Sequence, residues 1–451
     1  MSEPRGTPET PLEAVQVPKE YKVSTGAVNN QGEEREPEAG RGAAVRPDGA
    51  GARTYGTLSA QPHPFDPLAA LRAPGDPACD VYLAGTVFLD IIFTGLDSAP
   101  VRGTESWARG MGSSPGGVAN MATALARLGL HTSLAAAFGD DMYGDYCREA
   151  LDKGEGIDLA LSHTVPGWHS PVTVSMAYEG ERTMISHGHE APPREPTASP
   201  TALGLGRAPI DPEAPGCPPP ARACVTSLAP GDGQEWIAIA ARHGSRIFAD
   251  VGWDDTGRWD LGALPDLEHC EAFLPNAEEA MRYTRTDCPR AAARALSERV
   301  PLAVVTLGAQ GSCAVDGRTG ESAEVPGIPV DALDTTGAGD VFVAGFVMGS
   351  LAGWPLADRL AFAGLTAALS VQEFGGSLSA PGWSEIAAWW SRVRAGGPRA
   401  GAAGGAGAQQ ADGPCEGTYG FLDAVLTGCP GSAPRRRALP TIGFGRTTGA
   451  R

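Results

Sequence analysis

The chain has 451 residues, 42% of them hydrophobic and 20% charged, which suits a globular protein with a sizeable core in one large domain or a few smaller ones. Its formal net charge of −18 argues against a nucleic-acid partner, whose phosphates need a basic face. No run reaches the roughly 18 unbroken apolar residues of a membrane span, and the first residues lack a basic-then-apolar signal pattern. The nine scattered cysteines, with no C-x-x-C pair, read as free thiols of a cytoplasmic protein rather than as a metal site or disulfide frame.

Residues 1 to about 77 are rich in Pro, Gly, Glu and Ala with little periodicity, and read as a disordered leader. The apolar run 80–86, stopped at Gly85, predicts a buried strand where order begins. A helical pattern over 119–128 ends at Gly129 as its C-cap, 132–138 reads as a strand and 142–151 as a helix. Residues 172–178 alternate as a half-exposed strand does, and Glu179-Gly180-Glu181 turns the chain back. Residues 191 to about 222, dense in Pro and Ala, read as a surface insertion without regular structure.

Strand signals follow at 223–227, 246–251, 272–275, 302–307 and 312–315, and helix signals at 234–242, 277–283, 290–298, 341–351 and 358–369. This alternation calls for an α/β fold, a mainly parallel sheet covered by helices on both faces. A last amphipathic helix is predicted over 383–393, with Trp389 and Trp390 packed. A Gly/Ala-rich linker over 396–413, a short apolar segment over 419–426 able to dock on the domain, and a solvated basic tail with Arg435-Arg436-Arg437 complete the chain.

The run Asp334-Thr335-Thr336-Gly337-Ala338-Gly339-Asp340, followed at once by an apolar helical segment, carries the most chemistry. Small residues at a helix start let backbone N–H groups approach an anion. A carboxylate closing such a run repels phosphate, so it makes better sense as a base that takes a proton from a hydroxyl while the N–H groups hold the phosphoryl group under attack. The alternative is an ordinary glycine loop capped by Asp. No G-x-x-x-x-G-K-[ST] loop occurs, which excludes a Walker-type nucleotide site.

Four separated motifs settle between these readings. They are the 334–340 run; Pro115-Gly116-Gly117-Val118-Ala119-Asn120, followed by Leu128-Gly129 and Phe138-Gly139-Asp140-Asp141; Pro275-Asn276-Ala277-Glu278-Glu279; and Val304-Val305-Thr306-Leu307-Gly308-Ala309-Gln310-Gly311. In this order and spacing, the stretch from about 80 to 395 resembles the ribokinase-like (PfkB-type) carbohydrate kinases. The resemblance implies a ribokinase-like three-layer α/β/α core over 78–395, with a small β-strand lid built from about 98–111 and 171–187.

It further implies ATP-dependent phosphorylation of a sugar hydroxyl, with Asp340 as the base and Gly337, Ala338 and Gly339 as the anion hole. Asp90, Gly116, Gly117 and Asn120 would bind the acceptor, a polyol that a buried carboxylate reads well. Asn276, Glu279, Thr306, Gly308 and Gly311 would face the nucleotide, Glu279 holding Mg²⁺ through water, as suits a hard ion that keeps its waters. Asp334, Thr336 and Ser377 match positions that surround a monovalent cation, K⁺, beside the anion hole. The lid would exclude water and offer a homodimer contact, the small-molecule sugar and ATP being the other partners.

Two departures from the family pattern stand out. Only two residues separate Gly117 from Asn120 where three are usual, so Pro115-Gly116 would fill the Gly-Gly slot. Gly252 and Asp254 stand where members acting on fructose- and ketodeoxygluconate-type substrates carry Asn and Arg, which weakens an acidic or phosphorylated acceptor. His187, His189 and Glu190 read as lid residues rather than metal ligands. The rival readings are a nucleoside kinase of the same family and a catalytically silent sugar-sensing protein.

Overall fold

Successive residues of the central strands go to opposite sides. Val81, Val225, Phe248, Ala272, Val304 and Ala314 join one buried cluster, while their neighbours Tyr82, Cys224, Ile247, Phe273, Val305 and Cys313 join a second. Such two-sided burial is what a parallel sheet between two helical layers demands. The structure, a computed structural model, describes residues 65–96, 98–178, 181–191, 218–373, 375–395 and 416–429, all within the unit Tyr55–Arg451. The 191–222 insertion (apart from its two ends), the 396–413 linker, the basic tail and most of the 1–77 leader lie outside the described residues.

In chain order the elements are β1 (Cys79–Ala84), β2 (Val87–Thr94), β3 (Gly110–Gly117), α1 (Val118–Arg127), β4 (Thr132–Ala135), β5 (Ala137–Gly139), α2 (Met142–Glu149), β6 (His163–Val165), β7 (Val172–Tyr178) and β8 (Glu181–His187). There follow β9 (Ala221–Leu228), α3 (Glu235–Arg242), β10 (Arg246–Val251), β11 (Ala272–Phe273), α4 (Ala277–Thr284), α5 (Pro289–Ser297), β12 (Leu302–Thr306), β13 (Gly311–Asp316) and β14 (Ser322–Pro326). The last are α6 (Ala338–Leu351), α7 (Leu356–Ser370), α8 (Gly376–Ser379), α9 (Trp383–Arg394), α10 (Glu416–Tyr419) and α11 (Leu422–Val425).

The main sheet has eight strands in the order β14-β13-β12-β11-β10-β9-β1-β4, parallel from β12 through β4, with β13 and β14 added antiparallel at one edge. The cluster on one face includes residues of α1, α6, α7 and α9, and that on the other includes residues of α3, α4 and α5. This is the three-layer α/β/α core expected. Among the described residues, no helix is long and apolar enough to cross a membrane.

The second sheet corrects the expected lid boundaries. It has four strands in the order β3-β2-β7-β8, so its first half is β2 and β3 at 87–94 and 110–117, whereas the described residues of 98–109 carry no strand. Its second half, β7 and β8, falls where 171–187 was expected. The single strand expected at 132–138 divides into β4 and β5, which pair with different partners.

Order also begins before Asp80. Leu68 is fully buried, the Phe65 ring meets Trp383 edge-on at 5.1 Å, and Arg72 forks onto the buried Asp80 carboxylate at 2.7 Å on both oxygens. At the other end, α10 and α11 pack on the same core. Tyr419 meets Trp389 at 5.0 Å, Leu422 is fully buried, and Trp390 Nε1 donates to Asp423 at 2.8 Å. Leu422→Ala is therefore expected to lower stability by about 2–5 kcal/mol, read as a drop in the denaturant midpoint at constant slope.

Candidate active site

The turn into α6 carries the residues expected to form an anion hole. Gly337 is its N-cap in the left-handed region, φ +75°, which an L side chain rarely adopts, and it offers no side-chain cap to the first N–H groups. The N–H of Ala338 turns back to Thr335 O at 3.2 Å, so of the expected anion hole this one donor is engaged within the turn. Gly339 is exposed, and a Cβ built on it meets nothing within 4 Å. Asp340 follows in the first turn, half-buried, and Asn120 Nδ2 donates to its Oδ2 at 3.0 Å.

Asn120 lies in the first turn of α1, behind its N-cap Gly117. Two helix starts thus meet at the Asn120–Asp340 contact. Gly117 has φ +63°, and a Cβ there would meet Thr86 O at 2.5 Å. A Cβ on Gly116 would fall 1.9 Å from Asp90 Oδ2, so the buried Asp90 carboxylate lies directly over that glycine. Both glycines are required sterically, each for its own reason. Asp90 pairs in register with Ser114, which puts the two side chains on one face of the small sheet.

Several buried oxygens here have no hydrogen-bond partner: Ser113 Oγ, Ser114 Oγ, Asn120 Oδ1 and Thr336 Oγ1. Buried polar atoms left unpaired are costly unless a ligand or water meets them. A Cβ on Gly376, at φ +42°, would lie 3.2 Å from Asn120 Oδ1 and 3.5 Å from Ser114 Oγ. Ser114 was not singled out in the sequence; its place just before Pro115-Gly116-Gly117 was the available signal, whereas Ser113, in register with Ile91, belongs to the other face of the sheet.

Asp334 is buried and its carboxylate accepts from Thr336 N at 2.9 Å and Gly375 N at 3.2 Å. Ser377 Oγ donates to Pro115 O at 2.6 Å. The three residues expected around a monovalent cation are brought to one loop cluster, with Thr336 Oγ1 the unpaired atom among them.

Of the residues expected to face a nucleotide, Asn276 and Glu279 form a capping box. Glu279 N donates to Asn276 Oδ1 at 3.0 Å and Asn276 N to Glu279 Oε2 at 2.9 Å. Thr306, the last residue of β12, bridges to Asn276. Gly308 has open space around it at φ +57°, whereas a Cβ on Gly311 would meet Val325 O at 2.0 Å, so Gly311 serves the turn into β13.

Burial pushes the Glu279 carboxyl up to about 7, the Asn276 backbone N–H opposing this and Asp250 adding to it. Asp250, near the end of β10, is likewise pushed up to about 7, by burial and by the charge of Asp340. The stretch Asp250-Val251-Gly252-Trp253-Asp254 stood out in the sequence only for Gly252 and Asp254; the proximity of Asp250 to Asp340 and Glu279 exists only once the strands are side by side. Asp254, four residues on, instead caps its own loop, accepting from Thr256 N at 2.8 Å and Trp259 N at 2.7 Å.

The folded chain holds protons on both raised carboxyls that the unfolded chain releases near pH 4, so stability falls as pH rises from there to about 7. For each such carboxyl, the loss is about 1.4 kcal/mol for every pH step between its unfolded and folded pKa. Without divalent cations the thermal midpoint should drop between pH 5 and 8, and drop less in Glu279→Gln; equal slopes in both proteins would refute the assignment.

Among the described residues, no three His, Cys, Asp or Glu side chains converge closely enough to ligate a metal ion together. Two carboxyls raised chiefly by burial, with Asp250 Oδ1 unpaired, do fit a hydrated Mg²⁺ held partly through water. His187 lies 5.2 Å ring to ring from His189, on exposed backbone of the small sheet.

A family model described as pfkB family carbohydrate kinase matches residues 86–383. Ribokinase of Schizosaccharomyces pombe is 33% identical over 159 residues, 33% of this chain and 48% of that one, so the chain spans about half the length of that relative. A nucleoside kinase of Methanothermobacter thermautotrophicus is 28% identical over 317 residues, 68% of this chain and 94% of that one. Among solved structures, Arabidopsis thaliana ribokinase complexed with ribose and ATP matches with a TM-score of 0.55 at 24% identity, over 69% of this chain and 98% of that one, and has the same fold.

Proposed function

We propose that this chain, which belongs to the PfkB family of carbohydrate kinases, transfers the γ-phosphoryl group of ATP to a hydroxyl of a simple sugar, with Asp340 as general base. The observation that carries the reading is the Asn120–Asp340 contact at 3.0 Å, which sets a carboxylate beside the uncapped start of α6. Asp340 accepts the hydroxyl proton, the alkoxide oxygen forms its bond to the γ-phosphorus, and ADP leaves with the former bridging oxygen. N–H groups at the start of α6 stabilise the charge on the transferred group, and Asp90 with Gly116, Gly117 and Asn120 orients the acceptor.

Asn276, Glu279, Thr306 and Gly308 border the nucleotide. Mg²⁺ would be held by Glu279 and Asp250 through water, where it neutralises phosphate charge. Asp334, Thr336 and Ser377 would flank K⁺ in this reading, Thr336 Oγ1 being the unpaired oxygen among them. A homodimer through the small sheet is supported by Met184 and Ile185 on β8, which are 51% and 63% exposed.

A nucleoside acceptor is the second reading, favoured by the likeness to the nucleoside kinase over 94% of that protein's length. A panel of ribose, fructose, other simple sugars and adenosine, read by ADP release, decides between them. Saturable sugar binding with no ADP formed on any acceptor would instead reveal a sugar sensor.

A further inference from the structure

We propose that Arg127 and Glu155, a buried ion pair outside the acceptor and nucleotide pockets, are positioning residues that set the phosphoryl-transfer site by holding α8 in place. The proposal rests on reading that site as a phosphotransferase centre. Arg127 ends α1, roughly 10 Å along the helix axis from Asn120 at 1.5 Å per residue. It is 6% exposed and Glu155 5%.

The guanidinium works on two sides. Nε and Nη2 donate to the two Glu155 oxygens at 2.9 and 2.8 Å, a bidentate fork that fixes its plane. Nη1 donates to Leu378 O at 2.9 Å and Ala380 O at 2.7 Å, carbonyls at the end of α8, where a cation complements the helix.

The start of α8 touches the reacting region at three places. Gly375 N donates to Asp334 Oδ2, Ser377 Oγ donates to Pro115 O, and Gly376 Cα lies 3.5 Å from the Cβ position of Gly337. This one-turn helix is therefore a wedge between the acceptor strand β3 and the turn into α6, and Arg127 is its backstop. A wedge displaced by an ångström would shift Gly337 against Asn120 and spoil the alignment of base and phosphoryl group without emptying either binding pocket.

Lysine could meet the α8 carbonyls as a point charge but could not also hold the carboxylate in a planar fork. Removing one partner alone would leave a buried charge uncompensated and threaten the fold, whereas replacing both with apolar residues of similar volume is often neutral for stability. The test is therefore the double variant Arg127→Met/Glu155→Leu, compared with Arg127→Lys.

The expected result is a folded variant whose thermal midpoint is lowered only by the two α8 carbonyls left without their donor, and a kcat lowered about ten- to a hundredfold, with KM for acceptor and ATP within about threefold. Amide hydrogen exchange over 375–380 should accelerate in the same variant, and Arg127→Lys should fall between it and the parent. A folded double variant with parental kcat, or with unchanged exchange over 375–380, overturns the proposal. Should the double variant not fold, Arg127→Lys is read by the same two measurements, and parental kcat with unchanged exchange over 375–380 in that variant overturns the proposal. If no acceptor is phosphorylated by the parent protein, the kinase reading fails, and the exchange measurement alone still decides whether Arg127 holds α8.

Discussion

Asp340→Asn should lose about 10²- to 10⁴-fold in kcat, the range a positioned general base contributes. The substitution is nearly isosteric, and the new side-chain oxygen can still accept from Asn120 Nδ2, which lies 3.0 Å from Asp340 Oδ2 in the parent protein. Fold and pocket shape are thus preserved while the proton acceptor is removed. KM for both substrates should stay within about threefold, because the lost interaction is made only in the transition state. Stabilisation by Mg·ATP in a thermal shift should persist. Near-parental turnover in the folded variant would refute the base assignment; loss of nucleotide stabilisation as well would show that Asp340 acts in binding.

What the sequence made legible follows from how local each feature is. The 334–340 run could be read because its chemistry depends on neighbours in the chain, a left-handed glycine and a carboxylate one helical turn apart. The capping box of Asn276 and Glu279 is equally local. The strand β3 was missed because Gly110–Gly117, with four glycines and a proline, has almost no β propensity; pairing with β2 at the edge of the small sheet imposes the conformation. Losing β3 displaced the expected lid boundary to 98–111 and hid Ser114.

The charge of Asp250 lay beyond reach for a related reason. It becomes part of the site only where the ends of β10, α4 and α6 converge, a tertiary fact with no signature in spacing. The segment Phe65–Arg72 teaches a third lesson, whereas Tyr419–Leu422 stood out in the sequence as an apolar segment able to dock. The composition of Phe65–Arg72 resembles the leader around it, yet a few aromatic and aliphatic side chains suffice to bury it against Trp383. Low average hydrophobicity in a window conceals isolated anchors.

Gly116→Ala should damage acceptor binding severely. The added methyl would stand 1.9 Å from Asp90 Oδ2, 2.2 Å from its Cγ and 2.4 Å from Oδ1, so the whole carboxylate must move. Asp has too short a stem to yield at its tip while keeping its head in place. Hydrogen bonds to a charged acceptor contribute about 1.5–3 kcal/mol each. With two hydroxyl contacts weakened, KM for the acceptor should rise about 10²-fold or more, while KM for ATP barely changes. Gly117→Ala is the informative comparison. There the methyl meets the Thr86 carbonyl at 2.5 Å on a backbone at φ +63°, so the strain falls on the β2–β3 framework and should appear first as lost thermal stability. A Gly116→Ala variant that keeps the parental acceptor KM would remove Asp90 from the sugar pocket, and with it the argument that this glycine is small for the sake of a carboxylate.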